Sequence, residues 1–429
     1  MSVQKPSARL YPSFLFLGSM ASCPPAKFPS ASEIFKLWPF FCENVDPLTK
    51  ILHVPSTKVL LTQTLQPGAS CPIPKKIEGF IFAICTCAVM SLGDNESQRL
   101  PGTRASLESF FAATATSLVE SSFMQSLDII TLQTYVLFLV YIKSCRGSIR
   151  IDSSCSWMMV SIAIRIAQTI GIHQDGTIFS ISPYETEIRR RLWWYIVSLD
   201  IRATEMAGSG KSVVPQSWNA PLPLNINDED ISLDMTTFSS EHTKVTEMSF
   251  PLLKYELSLF LQDPGNGKFS GGLEETRTGT SLLHARIARL EKCFEERFLW
   301  FCDPVIPLHV LLTVTARSTI CKLQRIAEVS YADKDQPRIL TNPETKFSYG
   351  LKMLEYDKLV HSTKSTQRFR WYIMNSFPWG AVIGLLKAIT GQTTWDETKE
   401  AAWHHLEDMY QHHPEFCFRS TEICGVAGK

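Results

Sequence analysis

The chain has 429 residues, and its 42 Lys and Arg balance 42 Asp and Glu to a formal net charge of zero at pH 7. With no global positive field to hold a polyphosphate backbone, autonomous nucleic-acid binding is disfavoured. A content of 45% hydrophobic and 11% aromatic residues excludes a disordered chain, supplies a large core, and at this length fits two to three domains or one extended body.

Residues 1–30 are rich in Ser and Pro without a period and read as a flexible N-terminal tail. Lys5 and Arg9 ahead of Leu10 to Ser22 imitate a signal peptide, against which Pro12 and the short apolar core Phe14 to Leu17 argue. Beyond the tail, apolar spacing of three to four, or apolarity on most faces, predicts helices over 31–44, 56–65, 76–92, 104–120, 128–144, 154–170, 184–206, 242–262, 281–298, 307–328, 346–360, 367–390 and 395–412. The uncharged runs 79–93 and 129–142, of 15 and 14 residues, fall short of the ~20 needed to cross a bilayer and read as buried helices. Gly, Pro, Asn, Asp, Ser and Thr gather at 93–102, 207–241, 263–280 and 329–345, the expected loops, and 421–429 read as a C-terminal tail. Period-two runs are scarce, so the expectation is an all-α, extended multi-helix unit over 31–420.

The clearest helix start is Ser182-Pro183-Tyr184-Glu185: Ser as N-cap, Pro at the first helical position and Glu at the third predict a capping box. In the helix that follows, Ile188, Leu192, Tyr195, Ile196, Leu199 and Met206 fall on one face, while Glu185 with Arg189 and Glu187 with Arg191 form i,i+4 pairs in the favoured order. The preceding helix, from Trp157 to Ile170, ends at Gly171, a left-handed C-cap. A helical hairpin joined by His173-Gln174-Asp175-Gly176 is the result.

Motifs for chemistry are few. The twelve Cys (23, 42, 71, 85, 87, 145, 155, 293, 302, 321, 417 and 424) contain no pair separated by two residues, as a zinc knuckle or redox dithiol needs, and several sit in apolar runs as buried thiols of a reducing compartment. No Gly-x-Ser-x-Gly, Gly-x-x-x-x-Gly-Lys or Gly-x-Gly-x-x-Gly occurs. Ala207-Gly208-Ser209-Gly210-Lys211 follows a helix rather than a strand and reads as a turn. Asn227-Asp228-Glu229-Asp230 is the only stretch resembling a magnesium-diphosphate motif of terpene cyclases; it lacks the paired-Asp spacing and reads as an acidic loop or cap. The C-terminal helix carries His404, His405, Asp408, His412 and His413, and the 404/408/412 spacing places three potential ligands along one face, which can hold a metal or simply be solvated. Arg189-Arg190-Arg191 reads as a charged helix face compensated by Glu185 and Glu187, with Trp193 and Trp194 packed behind it.

The stretch 132–231 resembles, element by element, the regulatory "middle homology" domain of fungal binuclear zinc-cluster transcription factors. Leu132-Gln133-Thr134-Tyr135-Val136-Leu137 is similar to the family's Leu-Gln-Ala-hydrophobic run, and Ala167 to Gly176 to its Ala-x-x-x-Gly-Leu-His-x-Asp-Gly hairpin. Ser182 through Trp194 to Asp200 resembles its Glu-x-Arg-Arg-Arg-hydrophobic-Trp-Trp block, and Leu222 to Ile231 its Leu-Pro-x-Asn-x-x-Asp-x-Asp element. The likeness extends to Phe41 to Pro55 and, more loosely, to Phe369-Arg370-Trp371-Tyr372 with Phe377-Pro378-Trp379. The resemblance implies a helical, nuclear transcription regulator of a fungal metabolic or biosynthetic pathway, acting through other transcription proteins or a homo-oligomer and not as an enzyme.

The family's six-Cys DNA-binding module has no counterpart among these residues, so the expectation is DNA contact only indirectly or through an N-terminal module missing from this sequence. No catalytic, cofactor-binding, metal-binding or DNA-binding residue is assigned, no cofactor and no membrane partner are expected, and a small-molecule effector stays open. The rival readings are a ligand-sensing or protein-interaction module and, more distantly, a terpene-type helical enzyme. The residues singled out as a structural motif are Ser182, Glu185, Arg189, Arg190, Arg191, Trp193, Trp194 and Asp200.

Overall fold

The computed structural model describes residues 27–66, 72–100, 102, 106–144, 153–208, 212, 214, 217–263, 280–330, 343–374, 378–390 and 396–413. Most of the expected N-terminal tail, the whole C-terminal tail at 421–429, residues 209–211 of the glycine-rich turn, Phe377, and most of the expected loops 263–280 and 329–345 lie outside them. Every regular element among the described residues is helical, and no helix there is long and apolar enough to cross a membrane. The chain divides into two compact units, Met1–Glu275 and Thr276–Lys429, so the stretch 31–420 expected as one body contains two.

The first unit opens with α1 (Ala31–Phe40), a π-helical turn over Phe41–Val45, and the short α2 (Asp46–Thr49). It continues through α3 (Val54–Thr64), α4 (Lys75–Ser91), α5 (Asp94–Arg99), α6 (Leu107–Glu120), α7 (Ile129–Ser144), α8 (Ser153–Ile170), α9 (Pro183–Ala207) and α10 (Ser249–Gln262). The two uncharged runs are the innermost helices. All of Thr131 to Ile142 in α7 is buried, and α4 buries nearly everything from Gly79 to Ser91. A helix apolar on every face has no solvent side and packs on several neighbours at once, and α4 packs on α1, α6 and α7. Gly79 sets one of these approaches, since a Cβ there would stand 2.8 Å from Ser117 Cβ of α6.

Sequence and structure part in two places here. Residues 94–99 form a helical turn inside an expected loop, started by the Glu96 carboxylate accepting from the Gly93 N–H at 2.9 Å. Residues 242–248 are not helical. Their carbonyls and side chains are held by Asn225, which delays α10 to Ser249.

The second unit holds α11 (Thr280–Arg297), α12 (Pro307–Ser330), α13 (Pro343–Ser362), α14 (Arg370–Ile373), α15 (Trp379–Thr390) and α16 (Glu397–His412). Its core gathers Leu354 of α13, Val382, Leu385 and Ile389 of α15, and Ala402, Leu406 and Met409 of α16. The helix expected over 367–390 is instead a 3-10 turn (Lys364–Phe369), α14 and α15. Pro378 stands at the start of α15, its carbonyl accepting from the Ala381 and Val382 N–H groups; proline suits a helix start because its missing N–H has no intrahelical partner there.

Candidate functional site

The hairpin forms from α8 and α9, which pack on each other. Gly171 ends α8 at φ +86°, a conformation that costs glycine nothing. Ser182 caps α9, its Oγ accepting from the Glu185 N–H at 3.2 Å. The Glu185 carboxylate does not complete the expected box. It turns along the helix to accept from Arg189 Nε and Nη2 at 3.0 and 2.6 Å. Ile188, Leu192, Tyr195, Ile196 and Leu199 are buried, whereas Met206, expected on the same face, is 55% exposed near the frayed end.

The three arginines do not form one charged surface. Only Arg189 faces partly outward. Arg190 makes a two-pronged pair with Asp175 of the hairpin turn at 2.8 and 2.9 Å and covers the ring of Phe238 at 4.9 Å. Arg191 is fully buried, its Nε donating to Glu187 Oε1 at 3.2 Å and its Nη1 to Asp228 Oδ1 at 2.6 Å. The expected charged helix face is therefore corrected at Arg190 and Arg191, which are buried: burying a guanidinium is tolerable only where carboxylates meet it, and the second carboxylate on Arg191 comes from the loop read as an acidic loop or cap.

Asp228 is the hub. Its Oδ2 accepts from Lys50 Nζ at 3.1 Å and from the Val54 N–H at 3.0 Å, and its carbonyl meets His53 Nε2 at 2.9 Å. Lys50, held at φ 44° as the cap of α2, is itself buried and reaches Asp46 at 2.9 Å and Glu247 at 2.6 Å. Glu187 also accepts from the Leu224 N–H. Asn225 donates to the carbonyls of His242 and Lys244 and accepts from Thr246 Oγ1. Four stretches far apart in sequence, 46–54, 187–191, 224–228 and 242–249, are thus joined by one polar network.

Two cations face four carboxylates, and the network titrates unevenly. Burial alone would raise Asp228, but Lys50 and Arg191 outweigh it and hold the carboxyl down to about 2. Burial pushes Asp46 up to about 6 in spite of Lys50, with Asp228 adding to the rise. Its Oδ1 has no hydrogen-bond partner among the described residues, which fits a carboxyl that keeps its proton below pH 6. Burial would lower Lys50 and Arg191, yet their carboxylates keep both above the ordinary range.

Trp193 and Trp194 are buried at 0 and 1% exposure and enclose Trp218, at 5.8 and 4.8 Å between centroids; the Trp194 indole N–H donates to the Pro221 carbonyl at 2.7 Å. Asp200 is buried and accepts from Ser212 Oγ at 2.5 Å. The side chains at 404, 408 and 412, spaced along one face of α16, engage separate partners. Asp408 pairs with Lys358, His404 lies among Glu400 and Glu407, and His412 stacks on His361.

Residues 39–329 match the family described as the fungal specific transcription factor domain. The chain belongs to this family. The matched residues enclose the whole Asp228 network, which joins three of the stretches that carried the resemblance, 41–55, 182–200 and 222–231. Among its relatives, the aurofusarin cluster transcription factor aurR2 of Gibberella zeae is 30% identical, the alignment covering 91% of this chain and 58% of that protein. The pyriculol/pyriculariol biosynthesis cluster transcription factor 1 of Pyricularia oryzae is also 30% identical, with 90% and 52% covered. The transcriptional regulator AacuB of Aspergillus aculeatus is 29% identical, with the same shares. The chain spans about half the length of the curated relatives it matches. No solved structure matches it.

Proposed function

We propose that this chain is the regulatory part of a nuclear transcription regulator that controls a fungal biosynthetic gene cluster. The single observation that carries the reading is the family match over 39–329, joined to relatives whose names assign them to such clusters. The alignments reach over about nine-tenths of the chain, which supports a regulatory domain that includes both compact units within 31–420. The eight motif residues from Ser182 to Asp200 act in this reading as the structural centre of that domain.

The chemistry of the Asp228 network supports regulation over catalysis. Most of its charged atoms are engaged with one another or with backbone amides, an arrangement that suits holding one conformation. In this reading the chain is no enzyme and makes its contacts with other transcription proteins or a second copy of itself, and a zero net charge supplies no general electrostatic attraction to the DNA backbone.

Deleting the gene in its fungal host and measuring transcripts of neighbouring biosynthetic genes tests the reading. Those transcripts are expected to change together and to be restored by the wild-type gene but not by one carrying Asp228→Asn. Unchanged transcripts on deletion and on overexpression contradict it. A salt-resistant, sequence-selective gel shift by the purified chain would contradict the DNA part alone.

A further inference from the structure

The second unit contains a buried polar cluster that the regulatory reading does not use. Asp357 and His361 stand four residues apart on α13, so their side chains leave one helix face. His413 enters from the end of α16, where its N–H closes on the Met409 carbonyl at 3.0 Å. The side chains of Asp357, His361 and His413 are 9, 5 and 0% exposed. His413 Nε2 lies 3.1 and 3.2 Å from the two Asp357 carboxylate oxygens, and the His361 and His413 rings meet edge to face at 4.5 Å. One donor atom from each of the three falls within 4.8 Å of the other two. His412 stacks its ring on His361 at 5.3 Å and 12°.

The details favour a metal over a plain hydrogen-bonded pair. The Nδ1 side of His361 meets the Asp357 carbonyl at 2.9 Å, and its Nε2 is buried with no hydrogen-bond partner. A carbonyl that takes the Nδ1–H fixes the ring and leaves Nε2 as a lone pair, the outer-shell arrangement of metal-bound histidines. A tetrahedral ion with bonds of ~2.0–2.1 Å places its donors ~3.3 Å apart. The His413 and Asp357 donors already have that separation, and one donor from each of the three residues lies within 4.8 Å of the other two. Two imidazoles and one carboxylate suit a zinc-class ion and poorly suit magnesium or calcium, which take oxygen.

We propose that Asp357, His361 and His413 form a binding site for a zinc-class divalent cation, with water as fourth ligand, that ties the end of α16 to α13. The site lies far in sequence from the Asp228 network, and its existence is independent of which genes the protein regulates.

Titrating the chelator-stripped, purified full chain with zinc alone, and separately with cobalt(II) alone, tests it. Expected are one ion per chain, a zinc-dependent rise in melting temperature, and cobalt bands without the thiolate charge transfer that the chain's cysteines would give. His361→Gln and His413→Gln should each weaken binding at least ~10-fold, while His404→Gln, 65% exposed on the same helix, leaves it unchanged. Should either variant misfold, the stoichiometry and cobalt spectrum of the wild-type chain decide. No uptake, thiolate bands, or uptake that survives both substitutions overturns the proposal and leaves a hydrogen-bonded His–Asp pair.

Discussion

Helices α7 and α9 both run through the core of the first unit, α7 burying twelve consecutive residues from Thr131 to Ile142 that carry no charge, α9 burying Glu187, Arg190, Arg191 and Asp200 beside its aromatics. Apolar packing is non-directional, so the run in α7 gains from being inside and depends mainly on filled volume. A buried guanidinium is directional. Arg191 is tolerable only where Glu187 and Asp228 meet it, which fixes how α9, the loop before Ile231 and the cap of α2 fit together. One helix supplies burial and the other supplies register.

The largest expected effect comes from keeping shape and removing charge. Asp228→Asn should lose ~3–5 kcal/mol in urea denaturation, because it leaves Arg191 and Lys50 buried beside a neutral amide. The matching volume-conserving change in α7, Leu137→Met, should cost less than ~1.5 kcal/mol. Equal losses would erase the distinction between the two helices.

Trp194→Ala should cost ~3–5 kcal/mol by the same measurement, through the cavity left at a 1% exposed indole and the loss of its bond to the Pro221 carbonyl. Unchanged melting temperatures for both Trp193→Ala and Trp194→Ala, with regulation abolished in cells, would instead make the pair a partner site.

Acid stability tests the network without mutation, since two of its carboxyls are shifted in opposite directions. Asp228, held at about 2 against an ordinary 3.8, contributes stability that is present above pH ~4 and lost as pH falls toward 2. Asp46, raised to about 6 from 3.8, binds its proton more tightly when folded, so its contribution declines as pH rises from ~4 to ~6. Melting profiles against pH should show both limbs. Asp46→Asn should flatten the upper one, a change on the order of 3 kcal/mol.

The smallest effect belongs to the cap: Ser182→Ala should cost ~1 kcal/mol. A larger loss would mean that Glu185 also depends on Ser182, contrary to its engagement with Arg189.

Much of this was legible in the residues. Apolar runs located α4 and α7, Gly171 and Ser182 marked the ends of the hairpin helices, and the Glu187 to Arg191 pairing was visible in the spacing. Burial of that pair was not. A flanking glutamate four residues away is the pattern of a solvated face as much as of a buried ion pair, and what decides between them is Asp228, 37 residues on, and Lys50, 178 residues before Asp228. No local period encodes such a meeting. Lys50 lies in the block 41–55 that shares the likeness and Glu247 in the stretch 242–262 read as a helix, but neither reading tells that the side chain joins a buried ion network. The same reason hid the cluster on α13 and α16: the helical spacing 404, 408 and 412 is readable along one helix, whereas Asp357 and His413 meet only after two helices pack.

A double-mutant cycle between Arg191 and Asp228 tests most directly the claim that the network, rather than bulk burial, holds the motif blocks together. Arg191→Met takes the guanidinium from both Glu187 and Asp228, Asp228→Leu leaves Arg191 with Glu187 alone, and in the double variant only Glu187 has lost its charge partner. The account predicts a double variant more stable than the sum of the two losses implies, with a coupling of ~1–3 kcal/mol. Losses that add to within ~0.5 kcal/mol would contradict it.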